Sequence, residues 1–328
     1  MNRYSVILRA YNSGAQLAQS VESVVSQRYP HWELVIVNDG STDNTRQVAE
    51  EYAAKDSRIL VVNQPNRGCV LATQAGIEAS SGDYVVCLDA GDRYEPEYLW
   101  KVNQAFEEYQ TDMVVVNYHI VGVDGGVSDF VYFEQNRTLS MPQALELILK
   151  TTNSSICNKV IRRDKLIFSQ QQRDFFEEAG KTLNFGEDLY QLISPLLQCA
   201  SIRFLSDRLF VYVLDAGSIT HQKSKDPWKD VFQRVRLLEV TFETIRRAGY
   251  LTDSIQSILQ MNCAMFIHDF VAQIVKEGRF SGEGRKRLRG NSFYRNVVAR
   301  IPLPELRKRI PRRLTLYFAV FNKLYLRV

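Results

Sequence analysis

Acidic residues stand at two places in this chain where a buried strand would meet solvent. Asp39-Gly-Ser-Thr-Asp43 follows directly on the apolar run Glu33-Leu-Val-Ile-Val-Asn38, and Asp89-Ala-Gly-Asp92 follows on Asp83-Tyr-Val-Val-Cys-Leu88. A carboxylate there costs solvation unless something pairs with it. Asp39 can accept the imide N–H of uracil or the amino group of guanine. Asp89 and Asp92, three apart on one turn, suit Mg²⁺ or Mn²⁺, which take one or two carboxylates beside waters and phosphate oxygens. A nucleotide base and a metal-bound diphosphate on one cleft are what a nucleotide-sugar transferase requires. Each motif also has a plainer reading. Asp-Gly is a turn dipeptide, Ser41 or Thr42 can cap a helix, and Asp92 can cap the helix that Pro96 opens.

Two further groups belong to the same inventory. Tyr11, at the end of the first apolar run, can stack on a base or simply cover the sheet, and Asn12 begins the next helix or caps it. Glu187-Asp188 follows Gly186 at the start of a predicted helix, where the helix dipole alone stabilises acids by up to about 1 kcal/mol.

Strands that carry such groups must be buried on both faces. Short Val/Ile/Leu-rich runs over 4–9, 33–38, 58–62, 83–88 and 112–118 meet that description. Helical stripes lie between them: Leu17, Val21, Val24 and Val25; Val48, Ala49 and Tyr52; a helix from about 69 to 79; and one within 92–109. This alternation predicts a mostly parallel, Rossmann-like α/β sheet with flanking helices, whose ligands bind at the carboxyl ends of the strands. Beyond 120 the pattern loosens. It reads as a hairpin turn at 121–126, a strand at 130–133, a helix at 141–150, a strand or loop crossing the sheet edge at 156–161, and a helix from 185. Closing strands follow at 201–205 and 209–214, and then helices near 228–248 and 252–277. The stretches around 122–140 and 165–185 read as specificity loops. The best boundary is 217–227, giving a catalytic domain over 1–220, with halves at about 1–118 and 119–220, and a helical C-terminal region over 221–328.

Composition narrows the class. Of 328 residues, 45% are hydrophobic and 24% charged, ordinary for a globular chain. No secretory signal opens the sequence and no run approaches 18 apolar residues, so a cytoplasmic protein without a membrane span is expected. Cys69, Cys87, Cys157, Cys199 and Cys263 are scattered, as reduced structural thiols would be. The net charge of +4 conceals a split: residues 285–328 hold thirteen Lys/Arg and one acid, leaving 28 basic and 36 acidic residues in the rest. That tail mixes Leu314-Thr-Leu-Tyr-Phe-Ala-Val-Phe321 with Arg312, Arg313 and Lys323, a combination suited to anionic lipid or to packing on the catalytic domain. No nucleic-acid module is present.

Taken in order, the motifs resemble family 2 glycosyltransferases of the GT-A fold over about residues 4–220. The resemblance rests on Ser-Val-Ile-Leu-Arg-Ala-Tyr-Asn12, Leu-Val-Ile-Val-Asn-Asp-Gly-Ser-Thr-Asp43, Asn66-Arg-Gly68, Gly82-Asp-Tyr-Val-Val-Cys-Leu-Asp-Ala-Gly-Asp92, Asn158-Lys159 with Arg162-Arg-Asp164, Gly186-Glu-Asp188 and Leu214-Asp-Ala-Gly-Ser-Ile-Thr220. It implies an inverting enzyme that moves a sugar from a nucleoside diphosphate, UDP more readily than others, to a hydroxyl of a cell-surface glycan. The acceptor would be lipid-linked, at the inner face of the membrane, as in capsule or lipopolysaccharide assembly. Tyr11, Asn12, Asp39, Asn66 and Gly68 would hold the nucleotide, Arg9 and Asp89 would lie by the diphosphate, and Asp92 with Asp89 would hold Mn²⁺ or Mg²⁺. Asp188 would be the catalytic base, with Glu187 beside it.

Three departures from the family pattern stand out. Gly91 replaces the usual third acid of the tetrad, so the metal would rest on Asp92 or Asp89, bind weakly, or be replaced by basic side chains. Thr73 replaces a common Arg, and Arg9 replaces the commoner Pro and could restore that charge. His221 could be a ligand, but a surface histidine is the simpler reading. Gly91 and Thr73 also motivate a rival, a catalytically silent sugar-nucleotide-binding subunit. A nucleotidyltransferase would share the acids but favour a Gly- and Lys/Arg-rich first loop, which this chain lacks.

Overall fold

The computed structural model describes residues 1–168, 170–179, 186–214, 226–262, 282–292 and 294. They form two compact units, Met1–Leu145 with Ser154–Gln222, and Glu146–Asn153 with Lys223–Val328.

The first unit is built on one ten-stranded sheet. Along the chain run β1 (Tyr4–Ala10), α1 (Gly14–Val25), β2 (Trp32–Asp39), α2 (Thr45–Ala53), β3 (Ile59–Gln64), α3 (Cys69–Ala79), β4 (Tyr84–Asp89), β5 (Arg93–Tyr94), α4 (Tyr98–Tyr109), β6 (Met113–Val121), β7 (Val127–Phe130), β8 (Arg137–Ser140), α5 (Met141–Thr151), β9 (Lys159–Arg162), α6 (Gln170–Ala179), α7 (Glu187–Leu197) and β10 (Ser201–Val213). Strand order is β3-β2-β1-β4-β9-β6-β10-β5, with β7 on β6 and β8 on β10. Strands β3, β2, β1, β4, β6 and β10 share one direction, as the apolar runs predict, while β9 and β5 oppose them. All seven residues of β1 and all eight of β2 are buried. Such continuous burial is what a parallel sheet covered on both faces requires.

Register places the site. Arg9 of β1 pairs with Asp89 of β4, and Ala10 pairs with Asn38 of β2, so Arg9, Asp39 and Asp89 share the carboxyl edge of adjacent strands.

Several sequence expectations need correction. The segment at 156–161 yields β9, but in the interior of the sheet between β4 and β6 rather than at its edge. The closing strands are one strand, β10, with irregularities at Leu205–Arg208 and Arg208–Phe210. There the polar Ser206-Asp207-Arg208 interrupts the apolar run without ending the pairing, as bulges allow. The hairpin strand is Val127–Phe130, not 130–133. Asp92–Tyr94 belongs to a turn and to β5 before α4 starts at Tyr98. The stretch at 165–185 contains helix α6.

In the second unit, α8 (Pro227–Arg247) starts at Asp226, whose side chain accepts from the Lys229 N–H at 3.1 Å. Helical residues 253–262 are tied to the 146–153 segment by Ser254 Oγ donating to Glu146 (2.9 Å) and Asn262 Nδ2 donating to the Leu149 carbonyl (2.8 Å). A further helix spans Gly282–Gly290. Among the described residues no helix is long and apolar enough to cross a membrane. His221, most of the basic tail and the end of the expected 252–277 helix lie outside the described residues.

Candidate active site

Arg9 is the unusual residue of β1, a guanidinium with only 7% of its side chain exposed. Its Nε and Nη2 donate to the two oxygens of Asp89 at 2.8 and 2.7 Å, a bidentate pair. Such forks are among the strongest hydrogen-bonded contacts a protein makes. Nη2 also approaches Cys157 Sγ at 3.6 Å, and Nη1 donates to Thr73 Oγ1 at 3.3 Å. Burial alone would loosen the guanidinium's proton, but Asp89, with Cys157 and Asp188 behind it, outweighs burial and holds Arg9 charged. The positions occupied by Arg9 and Thr73, both departures from the family pattern, are therefore in contact.

Asp188 lies in the first turn of α7, an Nη1–carboxylate distance of 3.9 Å from Arg9. Burial raises its pKa to about 6, against the opposing pull of Arg9; the charge of Asp89 adds to the rise, and Lys159 and the Ile156 N–H reduce it. Although surrounded by protein, the side chain keeps 29% of its surface exposed. A carboxylate poised near neutrality and open to solvent is equipped to take a proton. Glu187 lies beside the start of α3, where burial and then the Glu187 charge push the Cys69 thiol upward.

The turn over 155–158 joins these groups. Its Ile156 amide donates to Asp188, and its Cys157 thiol donates to Asp89 at 3.5 Å. Lys159 is fully buried beneath it. Its ammonium donates to the Ser155 carbonyl (2.5 Å) and to Asn158 Oδ1 (2.9 Å), and burial lowers its pKa to about 7. Asn158 in turn exchanges hydrogen bonds with Val116 of β6.

Asp39 is buried, and its carboxylate holds a loop. One oxygen accepts from Gln64 Nε2 (2.7 Å) and the Arg67 N–H (2.8 Å), the other from the Gly68 N–H (2.9 Å). A carboxylate has about four acceptor positions, so one is left for a base. The loop packs tightly on Gly40, where an added Cβ would lie 2.4 Å from the Asn66 nitrogen and φ is +73°. Only glycine suits both conditions. Asn66 is thereby fixed beside the Asp39 turn. Tyr11 stands 44% exposed at the same edge. Asn12, at φ +50°, accepts from the Thr42 N–H at 2.8 Å and joins the β1 and β2 turns.

Asp92 is buried, one oxygen accepting from the Val213 N–H of β10 at 2.9 Å. Burial first, then the neighbouring Asp89 charge, pushes its carboxyl well above the usual range. Asp89, Asp92 and Cys157 bring their ligand atoms within 4.8 Å of one another, the arrangement among the described residues that could hold a metal. Two of these three donors are already engaged by the Arg9 guanidinium. Gly91 adds no donor, and its φ of +110° disfavours any side chain there. As arranged, this donor set does not fit an added divalent ion, because the Arg9 guanidinium already sits against two of its three donors.

The structure thus brings Arg9, Asp89, Asp92 and Asp188 into linked contacts and places Asp39, Asn66, Gly68, Tyr11 and Asn12 along the neighbouring strand tips. Sequence reasoning assigned no role to Cys157, Ile156 or Lys159. The Asn158-Lys159 motif marked their place without revealing their task.

A mostly parallel sheet with acids at its carboxyl edge and a further acid, Asp188, in the first turn of α7 is the arrangement of a GT-A glycosyltransferase. Solved structures share the fold: Staphylococcus aureus TarS 1–349 in complex with UDP-GlcNAc superposes with a TM-score of 0.60 at 19% identity, over 95% of this chain and 82% of that one. The mannosyltransferase PcManGT from Pyrobaculum calidifontis, in complex with GDP-Man and Mn²⁺, gives 0.50 at 14% identity, over 98% and 87%. The family model for glycosyl transferase family 2 matches residues 5–168, and the chain belongs to that family. TuaG of Bacillus subtilis (strain 168), a glycosyltransferase whose name places it in teichuronic acid biosynthesis, is 34% identical over 244 residues, covering 73% of this chain and 91% of TuaG. Glycosyltransferase GlyA of Streptococcus pneumoniae serotype 4 is 28% identical over 224 residues, 67% of this chain but only 32% of GlyA.

Proposed function

We propose that this chain is an inverting glycosyltransferase that moves a sugar from a UDP-linked donor to a hydroxyl of a growing bacterial cell-surface glycan. The observation that carries the reading is Asp188: partly open, raised to about 6, and set 3.9 Å from Arg9 beside Asp89. Ionised Asp188 takes the proton of the acceptor hydroxyl as its oxygen attacks the anomeric carbon. The new C–O bond forms as the bond to the β-phosphate oxygen breaks, and the nucleoside diphosphate leaves with the electron pair. Tyr11, Asp39, Asn66 and Gly68 line the nucleotide end, and Glu187 borders the base. The UDP-GlcNAc complex of TarS supports a uridine donor, and the name of TuaG supports a cell-surface glycan. We further assign the basic 285–328 tail to the inner membrane face, near a lipid-linked acceptor.

The test is sugar transfer by Asp188→Asn. Removing a general base costs about 10²–10⁴-fold in turnover, with UDP affinity retained. Near-normal turnover removes Asp188 from this role. UDP binding without turnover on any acceptor, by the native chain, supports instead a sugar-nucleotide-binding subunit of a partner enzyme.

A further inference from the structure

We propose that Arg9 is the resident cation of this cleft, binding the donor's diphosphate directly, so that nucleotide binding and transfer proceed without an added metal ion. The inference rests on the reading of the cleft as a nucleoside-diphosphate site.

Three observations converge on it. The atoms best placed to ligate a metal are Asp89, Asp92 and Cys157, and one guanidinium already touches two of them, at 2.7 and 3.6 Å. A divalent ion in that cluster would sit against a fixed positive charge that cannot be discharged, since arginine stays protonated. Second, the guanidinium cannot swing aside cheaply. It is 93% buried, forked on Asp89, and anchored by Thr73, whose hydroxyl is itself tied to the Cys69 carbonyl at 2.8 Å. Arg9 is the buried member of this pair, Asp89 being 47% exposed, and a buried charge parted from its partner is costly. Third, Nη1 keeps spare capacity. It makes one long hydrogen bond, to Thr73, and stands 3.9 Å from Asp188, so one of its protons is available to a phosphate oxygen arriving between Asp89 and Asp188.

Arg9 is also a fixed donor, forked on Asp89 before any leaving group departs. Such donors are effective because they need no rearrangement during reaction. An arginine also presents planar, paired donors that match phosphate oxygens, which a lysine does not.

The experiment is UDP titration by calorimetry on the full chain, in EDTA and then with Mn²⁺, for the native protein, Arg9→Lys and Arg9→Gln. Free Mn²⁺ is followed in parallel by electron paramagnetic resonance. The native chain is expected to bind UDP in EDTA, with Mn²⁺ changing affinity by no more than about twofold. Arg9→Gln in EDTA is expected to lose about tenfold or more, since charge-assisted contacts to phosphate vanish. The same substitution frees Asp89 and Cys157, so it should bind Mn²⁺ more tightly than the native chain does. Arg9→Lys, which keeps the charge but not the fork, should fall between. Native UDP binding that requires Mn²⁺ overturns the inference alone, and that arm needs no variant to fold. Arg9→Gln binding UDP normally in EDTA also overturns it. Absence of UDP binding in every condition overturns this inference and the functional reading together.

Discussion

Arg9, from the first strand of the sheet, and Asp188, from the first turn of α7, face each other with 3.9 Å between Nη1 and a carboxylate oxygen. The pair sets the working range of the proposed base. Burial alone would drive Asp188 far toward its protonated form, and Arg9 limits the rise to about 6. Only the ionised carboxylate can accept a proton. Turnover should therefore be flat above about pH 6 and fall roughly tenfold per unit below it. The pH dependence of kcat, measured at saturating donor, checks this; an acid limb near the ordinary aspartate range would count against Asp188.

Glu33 is expected to govern acid stability. Burial opposes its ionisation, but hydrogen bonds from the Ser81 N–H (2.5 Å), Ser5 Oγ (2.7 Å) and the Gly82 N–H (3.0 Å) outweigh burial and lower its pKa. A lowered folded pKa contributes stability above the unfolded value, and that contribution is lost as pH falls through the folded value. Glu33→Gln should cost about 1–3 kcal/mol at neutral pH. The Tm gap from the native chain should narrow as pH drops below the ordinary glutamate range.

Position 76 should tolerate nothing larger than glycine. A Cβ there would lie 2.2 Å from Ile7 Cγ2 and 3.1 Å from Val37 Cγ2, where α3 packs on β1 and β2. Gly76→Ala should destabilise by about 1–3 kcal/mol through overpacking. In a double-mutant cycle by denaturant unfolding, Ile7→Val, which removes a methylene rather than Cγ2, should give little rescue, whereas Ile7→Ala should recover part of the loss despite its own cavity cost.

Asp39→Asn should loosen the 65–68 loop. The amide offers one acceptor oxygen where the carboxylate offers two, yet Gln64, Arg67 and Gly68 all donate to it. An orphaned donor costs about 1–3 kcal/mol. Faster hydrogen exchange at the Arg67 and Gly68 amides, with UDP affinity down about tenfold, is the expected result. Unchanged exchange would mean that Gly40 packing alone holds the loop.

The parallel core was legible because strands buried on both faces leave unbroken Val/Ile/Leu runs, as β1 and β2 do. The interior place of β9 was not, since its segment reads as a strand or loop at the sheet edge while its partners lie far away in the chain. The polar bulge at Ser206–Arg208 looked like a break because sequence shows polarity and not pairing. At the site, Asp39, Asp89, Asp92 and Asp188 announced themselves as charges at the ends of apolar elements. Arg9 did so as a cation inside one. Cys157 and Ile156 could not, because a backbone amide and a buried thiol gain meaning only once the 155–158 turn is brought against Asp89 and Asp188.

The interior place of β9 bears on how this unit comes into being. Severed near residue 120, the first half would present β4 with an unfilled flank, and the second half would have no neighbour for Lys159–Arg162 to join. The two halves are interlaced like fingers and are not separable modules. The flank of β4 is filled by a strand about seventy residues further along the chain, and such distant closure slows folding. Without β9, the turn whose Ile156 amide donates to Asp188 has no frame to rest on, so the position of the proposed base depends on that closure.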